Sequence, residues 1–285
     1  MDKEVVSRWS RIIENTAPLP FVVSILLEKL EDPEVSIQDI ESILSRDPLL
    51  VAKVLKMANS AYYGFPRTIA TVREAVIVLG INTVRSICLA VSIKSVMDVD
   101  VSGYWFGNFS GLWEHSILVG SGARVIAKKL KYHDPERFFV AGLLHDIGKV
   151  VLSSVIKEYK VQILKNFIFS DKTISQSEED LIGISHNSVG YMLANYWNLP
   201  QFISDVILYH DNPLESPTDI RNDVLAVSAA NELSYNFISD DLKQVGLSSK
   251  RDNKANEYLR ILGLSKEKNY ILESMKKVLD MDLEV

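Results

Sequence analysis

The chain has 285 residues, enough for one large domain or two small ones. Hydrophobic residues make up 47% and charged residues 24%, a globular balance that excludes wholesale disorder. Lys plus Arg number 31 against 37 for Asp plus Glu, and no run of five basic residues occurs, so neither nucleic acid nor an anionic membrane is an expected partner.

From the N-terminus, Met1-Asp-Lys-Glu-Val-Val6 lacks the apolar core of a signal peptide. Ser36-Ile-Gln-Asp39 opens a segment with Ile37, Ile40, Ile43 and Leu44 at helical spacing. Asp47-Pro48 places a capping carboxylate before a proline suited to the first helical position. That helix reads as ending at a turn around Asn59, Ser60 and Gly64. Thr71-Val-Arg-Glu74 is a capping box, and Val84, Ile87, Cys88 and Val91 form a helical stripe. Cys88, the one cysteine, reads as a small buried residue and excludes both an internal disulfide and a Cys-based zinc site. Arg67, Arg73, Arg85 and Lys94 are scattered among acidic residues and read as a solvated face.

Asp98 to Tyr104 is a turn-forming stretch between two helical blocks. Beyond it, Asp134-Pro135-Glu136 and Ser175-Gln-Ser-Glu178 repeat the two start signals. Ser239 to Asn256 is polar and reads as a solvated loop, followed by an amphipathic helix over Lys266–Leu279 capped by Ser265. Strand signals, a βαβ rhythm and fixed-period repeats are lacking. The uncharged apolar stretches fall short of the ~20 residues of a spanning helix. The expectation is an all-α, cytoplasmic protein organised as an N-terminal helical bundle (1–100), a helical core (101–240) and a polar loop with a last helix (241–285).

Five histidines occur, and His133, beside Asp134-Pro135, reads as an exposed loop residue. His115, His145, His186 and His210 lie in or at the ends of helical segments among apolar neighbours. A single histidine so placed is more often a hydrogen-bonded core residue than a ligand. Four of them together with Asp146 and Asp211 form a set suited to Zn, Mn, Fe or Ni, which a helical bundle can aim inward. Separations of 30, 41 and 24 residues do not by themselves prove convergence.

His115 followed by Leu143-Leu-His145-Asp146-Ile-Gly-Lys149 resembles the HD superfamily of metal-dependent phosphohydrolases, and the His-Asp-Ile-Gly-Lys form resembles its HD-GYP branch. Leu19-Pro20, Asp47-Pro48-Leu49, Val54-Leu-Lys-Met-Ala-Asn59-Ser-Ala-Tyr-Tyr-Gly64 and Ala75-Val-Ile-Val-Leu-Gly80 together resemble the HDOD domain, the HD-related output domain of bacterial signalling proteins. The likeness runs from about residue 17 to residue 233.

The resemblance implies an HD-like multi-helix globule in which His115, His145, His186 and His210 are metal ligands and Asp146 bridges two metals. Lys149 would face a phosphate, and is a catalytic candidate only in an active enzyme. Its bland alternative is a solvent-facing cation near a helix end. The chain departs from HD-GYP enzymes where Asp211 replaces a second histidine and no Gly-Tyr-Pro element follows. Asn231 occupies the place of a late ligating aspartate, and its neutral amide holds a dication less firmly.

The expectation is a signalling output or scaffold module, non-catalytic and standing alone, with helical surfaces for partner signalling proteins. Its degenerate site would take one or two divalent transition metals (Fe, Mn, Zn or Ni) and no organic cofactor. The alternative is a metal-dependent phosphohydrolase acting on a cyclic nucleotide or another phosphoester.

Overall fold

The computed structural model describes residues 3–15, 24–25, 35–44, 47–60, 62–101, 104, 111–170, 172–237 and 247–279. Leu19-Pro20 and the 239–246 part of the polar stretch lie outside them. Among the described residues the regular structure is entirely helical. The N-terminal helices are α1 (Lys3–Asn15), α2 (Ile37–Leu44), α3 (Pro48–Ala58), α4 (Val72–Leu79) and α5 (Ile81–Met97). Then come α6 (Leu112–Lys129), α7 (Glu136–Leu144), α8 (Gly148–Ile156), α9 (Lys160–Phe169), α10 (Ile174–Ile182), α11 (His186–Tyr196) and α12 (Gln201–Tyr209). The last are α13 (Arg221–Ser234), α14 (Leu247–Ile261) and α15 (Lys268–Leu279).

The start signals act as their chemistry dictates. The Ser36 hydroxyl accepts from Asp39 N–H, and Asp47 accepts from Leu50 N–H ahead of Pro48. Thr71 accepts from Glu74 N–H. Each bond satisfies a helix N–H that has no intrahelical acceptor. Asn59 does more than end α3: its amide donates to Leu55 O and Ile69 O, and its oxygen accepts from Ile69 N–H. One side chain thereby ties the 60–69 connection back to its own helix.

Four readings need correction. The helix start near Ser175 lies two residues earlier, because Thr173 and Gln176 form the reciprocal capping box, leaving Ser175 and Glu178 inside α10. Residues 247–256 of the polar stretch belong to α14 rather than to a loop. Leu247, Arg251, Ala255 and Leu259 recur every four residues, and all are buried. Arg251 fits that buried face because it pairs with Glu232 (3.1 Å) and lies 4.0 Å from the centroid of the Phe167 ring. Ser265 opens a 3₁₀ turn, so the final helix starts at Lys268. Arg85 is buried in α5 and not part of a solvated face.

One apolar core runs from Trp9 in α1, through α2 to α5, to Ile207 in α12. A second joins α6, α7 and α12 to α13, α14 and α15. Helix α6 packs against α7, α13 and α15 and so borders both. An 18-residue window within Glu136–Ile163 is apolar enough to cross a membrane, but 83% of it is buried inside the fold.

Arg124 of α6 joins the N-terminal helices to the rest. Its guanidinium pairs with Glu136 (3.3 Å) and faces the rings of Tyr62, Tyr63 and Phe139 at 4.9, 5.8 and 5.6 Å. Tyr62 also hydrogen-bonds Ser121 (2.9 Å).

Two helix crossings are set by glycine. A Cβ on Gly142 would lie 2.7 Å from the Gly120 Cα, so α6 and α7 meet backbone to backbone. A Cβ on Gly148 would lie 1.9 Å from the His186 carbonyl oxygen and 2.7 Å from Gly190 N. Gly148→Ala is therefore expected to cost about 3 kcal/mol, the upper range for overpacking. Urea unfolding would show it as a lower midpoint, whereas a midpoint equal to wild type would contradict the close approach.

Candidate metal centre

Helix α6 supplies His115 near its start, and the turn between α7 and α8 supplies His145 and Asp146. Lys149 follows on the first turn of α8. His186 opens α11 directly after the Ser185 cap, and His210 closes α12. The Gly148 crossing brings the starts of α8 and α11 together, which delivers Asp146 to His186.

Asp146 is the centre of the cluster. Its Oδ2 lies 3.4 Å from His115 Nε2, 3.3 Å from His145 Nε2 and 2.5 Å from Lys149 Nζ. Its Oδ1 lies 3.2 Å from His186 Nε2 and 3.5 Å from His210 Nε2. Asp211 stands beside the second pair, 3.8 Å from each of those two imidazoles. The side chains of the four histidines, Asp146 and Lys149 are at most 4% exposed.

The outer ring nitrogens explain how the imidazoles are aimed. His145 Nδ1 lies 2.7 Å from Gly142 O, and His210 Nδ1 lies 3.0 Å from Ile207 O. A carbonyl can only accept, so His145 Nδ1 carries hydrogen and the Nε2 of that neutral ring offers its lone pair to the cluster, while His210 Nδ1 also lies 3.3 Å from the Asn187 amide nitrogen. His186 Nδ1 donates to Glu178 Oε2 at 2.6 Å, and His186 N–H donates to the same oxygen at 2.7 Å. The other Glu178 oxygen accepts from Tyr104 OH (2.5 Å).

Charge follows this pattern. Burial pushes the His145 pKa down to about 4 against the pull of Asp146, and burial also lowers that of His115. Burial opposes the charged form of His186 as well, but Glu178 outweighs it and the pKa rises to about 9. Asp146 is held well below the usual carboxylate range: burial would raise it, and His145 and Lys149 more than offset that. Asp211 is likewise lowered, by His210 and His186 against its burial.

The residues fit a divalent cation. Asp146 Oδ1 and His145 Nε2 are buried without a hydrogen bond, an expensive state for polar atoms. His115, His145 and Asp146 form one group of donor atoms within 4.8 Å of one another, and Asp146, His186 and His210 form a second. Nitrogen and carboxylate donors of this kind suit first-row divalent ions.

Thus the structure gathers seven of the residues singled out in the sequence: His115, His145, Asp146, Lys149, His186, His210 and Asp211. Lys149 faces the cluster and not solvent. Asn231 lies on α13, one turn beyond Ser228, whose hydroxyl donates to His210 O (2.6 Å). Its own Oδ1 is buried and without a hydrogen bond. His133 is exposed in its turn, and Cys88 is buried. Glu178 and Tyr104 are the residues that sequence reasoning missed. Glu178 was legible only through the earlier box, since Thr173 with Gln176 frees it from capping and places it eight residues before His186.

Fold and cluster together define an all-helical module of HD type with an inward-facing His/Asp centre. The HDOD domain model matches residues 17–213, and the chain belongs to the HDOD family. An HDOD domain protein of unknown function from Geobacter sulfurreducens is 28% identical, with a TM-score of 0.71 over 97% of this chain and 99% of its own. A Shewanella amazonensis protein with the provisional name metal-dependent phosphohydrolase shares the fold at 17% identity, with a TM-score of 0.64 over 97% of this chain and 96% of its own. An uncharacterised protein of Treponema pallidum is 26% identical over 225 residues, which are 77% of this chain. The match spans only 42% of that relative's length.

Glu178 is fully buried and receives three hydrogen bonds. Glu178→Ala strands those donors and is expected to cost about 3 kcal/mol, as breaking a buried ionic contact does. Chemical denaturation of the two proteins checks this; a loss below about 1 kcal/mol would mean that the hydrogen bonds are readily replaced.

Proposed function

We propose that this protein is a non-catalytic signalling output module whose buried His/Asp centre holds a divalent cation as part of its folded core. The observation that carries the reading is the burial of the cluster, with Lys149 turned inward onto Asp146 at 2.5 Å. A phosphoester needs a path to the reacting groups and a cation left to receive its charge, and here that cation is spent on Asp146. Membership of the HDOD family supports the output role, with helical outer surfaces meeting partner signalling proteins.

A second reading is a metal-dependent phosphohydrolase acting on a cyclic nucleotide or another phosphoester. The retention of four imidazoles, Asp146 and Lys149 around one point favours it. When bound, a divalent cation would supply Lewis acidity for the phosphoryl oxygens. Under this reading His115, His145, His186, His210, Asp146 and Asp211 would hold the ion, and Lys149 would release Asp146 to meet the phosphate. Asn231 would add a neutral oxygen at most.

Elemental analysis of protein purified without chelator, compared with Asp146→Ala, tests the first reading. The expected result is roughly one equivalent of a transition metal in wild type and none in the folded variant, since the carboxylate common to both donor groups is gone. Metal-loaded wild type is expected to hydrolyse phosphodiesters no faster than Asp146→Ala. Absence of metal from wild type would overturn the cation-holding part, and turnover lost in Asp146→Ala would establish the hydrolase instead.

A further inference from the structure

The four imidazoles divide into two pairs, one at each oxygen of a single carboxylate, and the two halves are not equivalent. At Asp146 Oδ2, beside His115 and His145, the Lys149 ammonium sits 2.5 Å away. A charge-assisted contact of that length neutralises the oxygen and places a full positive charge where a cation shared with His115 and His145 would have to bind. At Asp146 Oδ1, beside His186 and His210, no hydrogen bond is made.

Asp211 sharpens the difference. It presents oxygens 3.8 Å from His186 Nε2 and from His210 Nε2, so this half has two carboxylates and two imidazoles. His186 is aimed by Glu178, and His210 by the Ile207 carbonyl, through their Nδ1 atoms. Outer partners of this kind fix the ring and turn Nε2 toward the carboxylates. The donors therefore favour a cation on one side, while a built-in ammonium occupies the other.

We infer that the protein binds a single divalent cation through His186, His210, Asp146 and Asp211, and that Lys149 takes the place of a second ion beside His115 and His145. The inference rests on the cation-holding reading and specifies its stoichiometry and its ligands. It also assigns Lys149 a role without a phosphate: the residue is the permanent counter-charge of one half of the centre.

The test uses the full chain, freed of metal by chelation and titrated with Mn²⁺. Bound metal is counted after desalting, and its electron paramagnetic resonance spectrum is recorded. Wild type is expected to hold about one ion with the spectrum of isolated Mn²⁺. His186→Ala is expected to weaken binding at least about tenfold, with a smaller effect from His115→Ala. Lys149→Met, which removes the ammonium but keeps an unbranched chain, is expected to admit a second ion and to give an exchange-coupled spectrum, as ions about 4 Å apart do.

Two ions in wild type, equal losses in the two histidine variants, or a single ion in Lys149→Met would each overturn the inference. No Mn²⁺ in folded wild type would instead overturn the cation-holding reading on which it rests. Should His186→Ala fail to fold, the stoichiometry of Lys149→Met decides the matter by itself.

Discussion

A carboxylate buried to 1% exposure is the constraint around which this molecule is arranged. Left alone, Asp146 would cost several kcal/mol to ionise in the interior, so positive charge or hydrogen-bond donors must be brought to it. Lys149 on the first turn of α8 brings charge, and so does His186 of α11. His115 of α6, His145 of the α7–α8 turn and His210 of α12 complete the ring around it. The backbone carbonyls and the Glu178 carboxylate that orient these imidazoles form an outer layer, so the requirement propagates well beyond the groups that face Asp146. Tyr104, just after the N-terminal helices, is drawn in by the same logic through Glu178.

Much of this was legible in the sequence because the signals were local. An all-helical fold followed from periodicity and capping chemistry, and the bonds of Ser36, Asp47 and Thr71 are those their side chains favour. His145-Asp146 and the three outlying histidines were legible as a set through residue type and family resemblance, while their convergence belongs to the tertiary structure. The misreadings share a cause. Ser175-Gln-Ser-Glu178 satisfies the pattern of a capping box, yet Thr173-Ile-Ser-Gln176 satisfies it as well, and only packing decides between them. Residues 247–256 were opaque because their buried face includes an arginine, and polarity alone does not reveal a cation sandwiched between Glu232 and Phe167. Arg85 was misread as well, since its charge hides its burial in α5.

The N-terminal helices and the His-bearing helices share an apolar core, and a polar joint lies within it. Arg124 sits in a cage of three aromatic rings while its charge is met by Glu136. Tyr62 and Tyr63 belong to the segment that Asn59 ties back to α3. The Val54–Gly64 motif, one part of the HDOD resemblance, thus reaches the helix bearing His115 through Tyr62 and Tyr63. Those contacts give the motif a structural role independent of whatever it meets at its outer surface.

The contact between Gly148 and the start of α11 has a wider meaning for the centre. Donor positions in protein sites are commonly set by side-chain rotamers, which neighbouring substitutions can alter. Here the separation between the Asp146 turn and His186 is fixed by main chain touching main chain, with no side chain between them to shorten, lengthen or turn. The spacing is a property of the backbone trace, and drift of the surrounding core composition leaves it unchanged as long as both glycines remain.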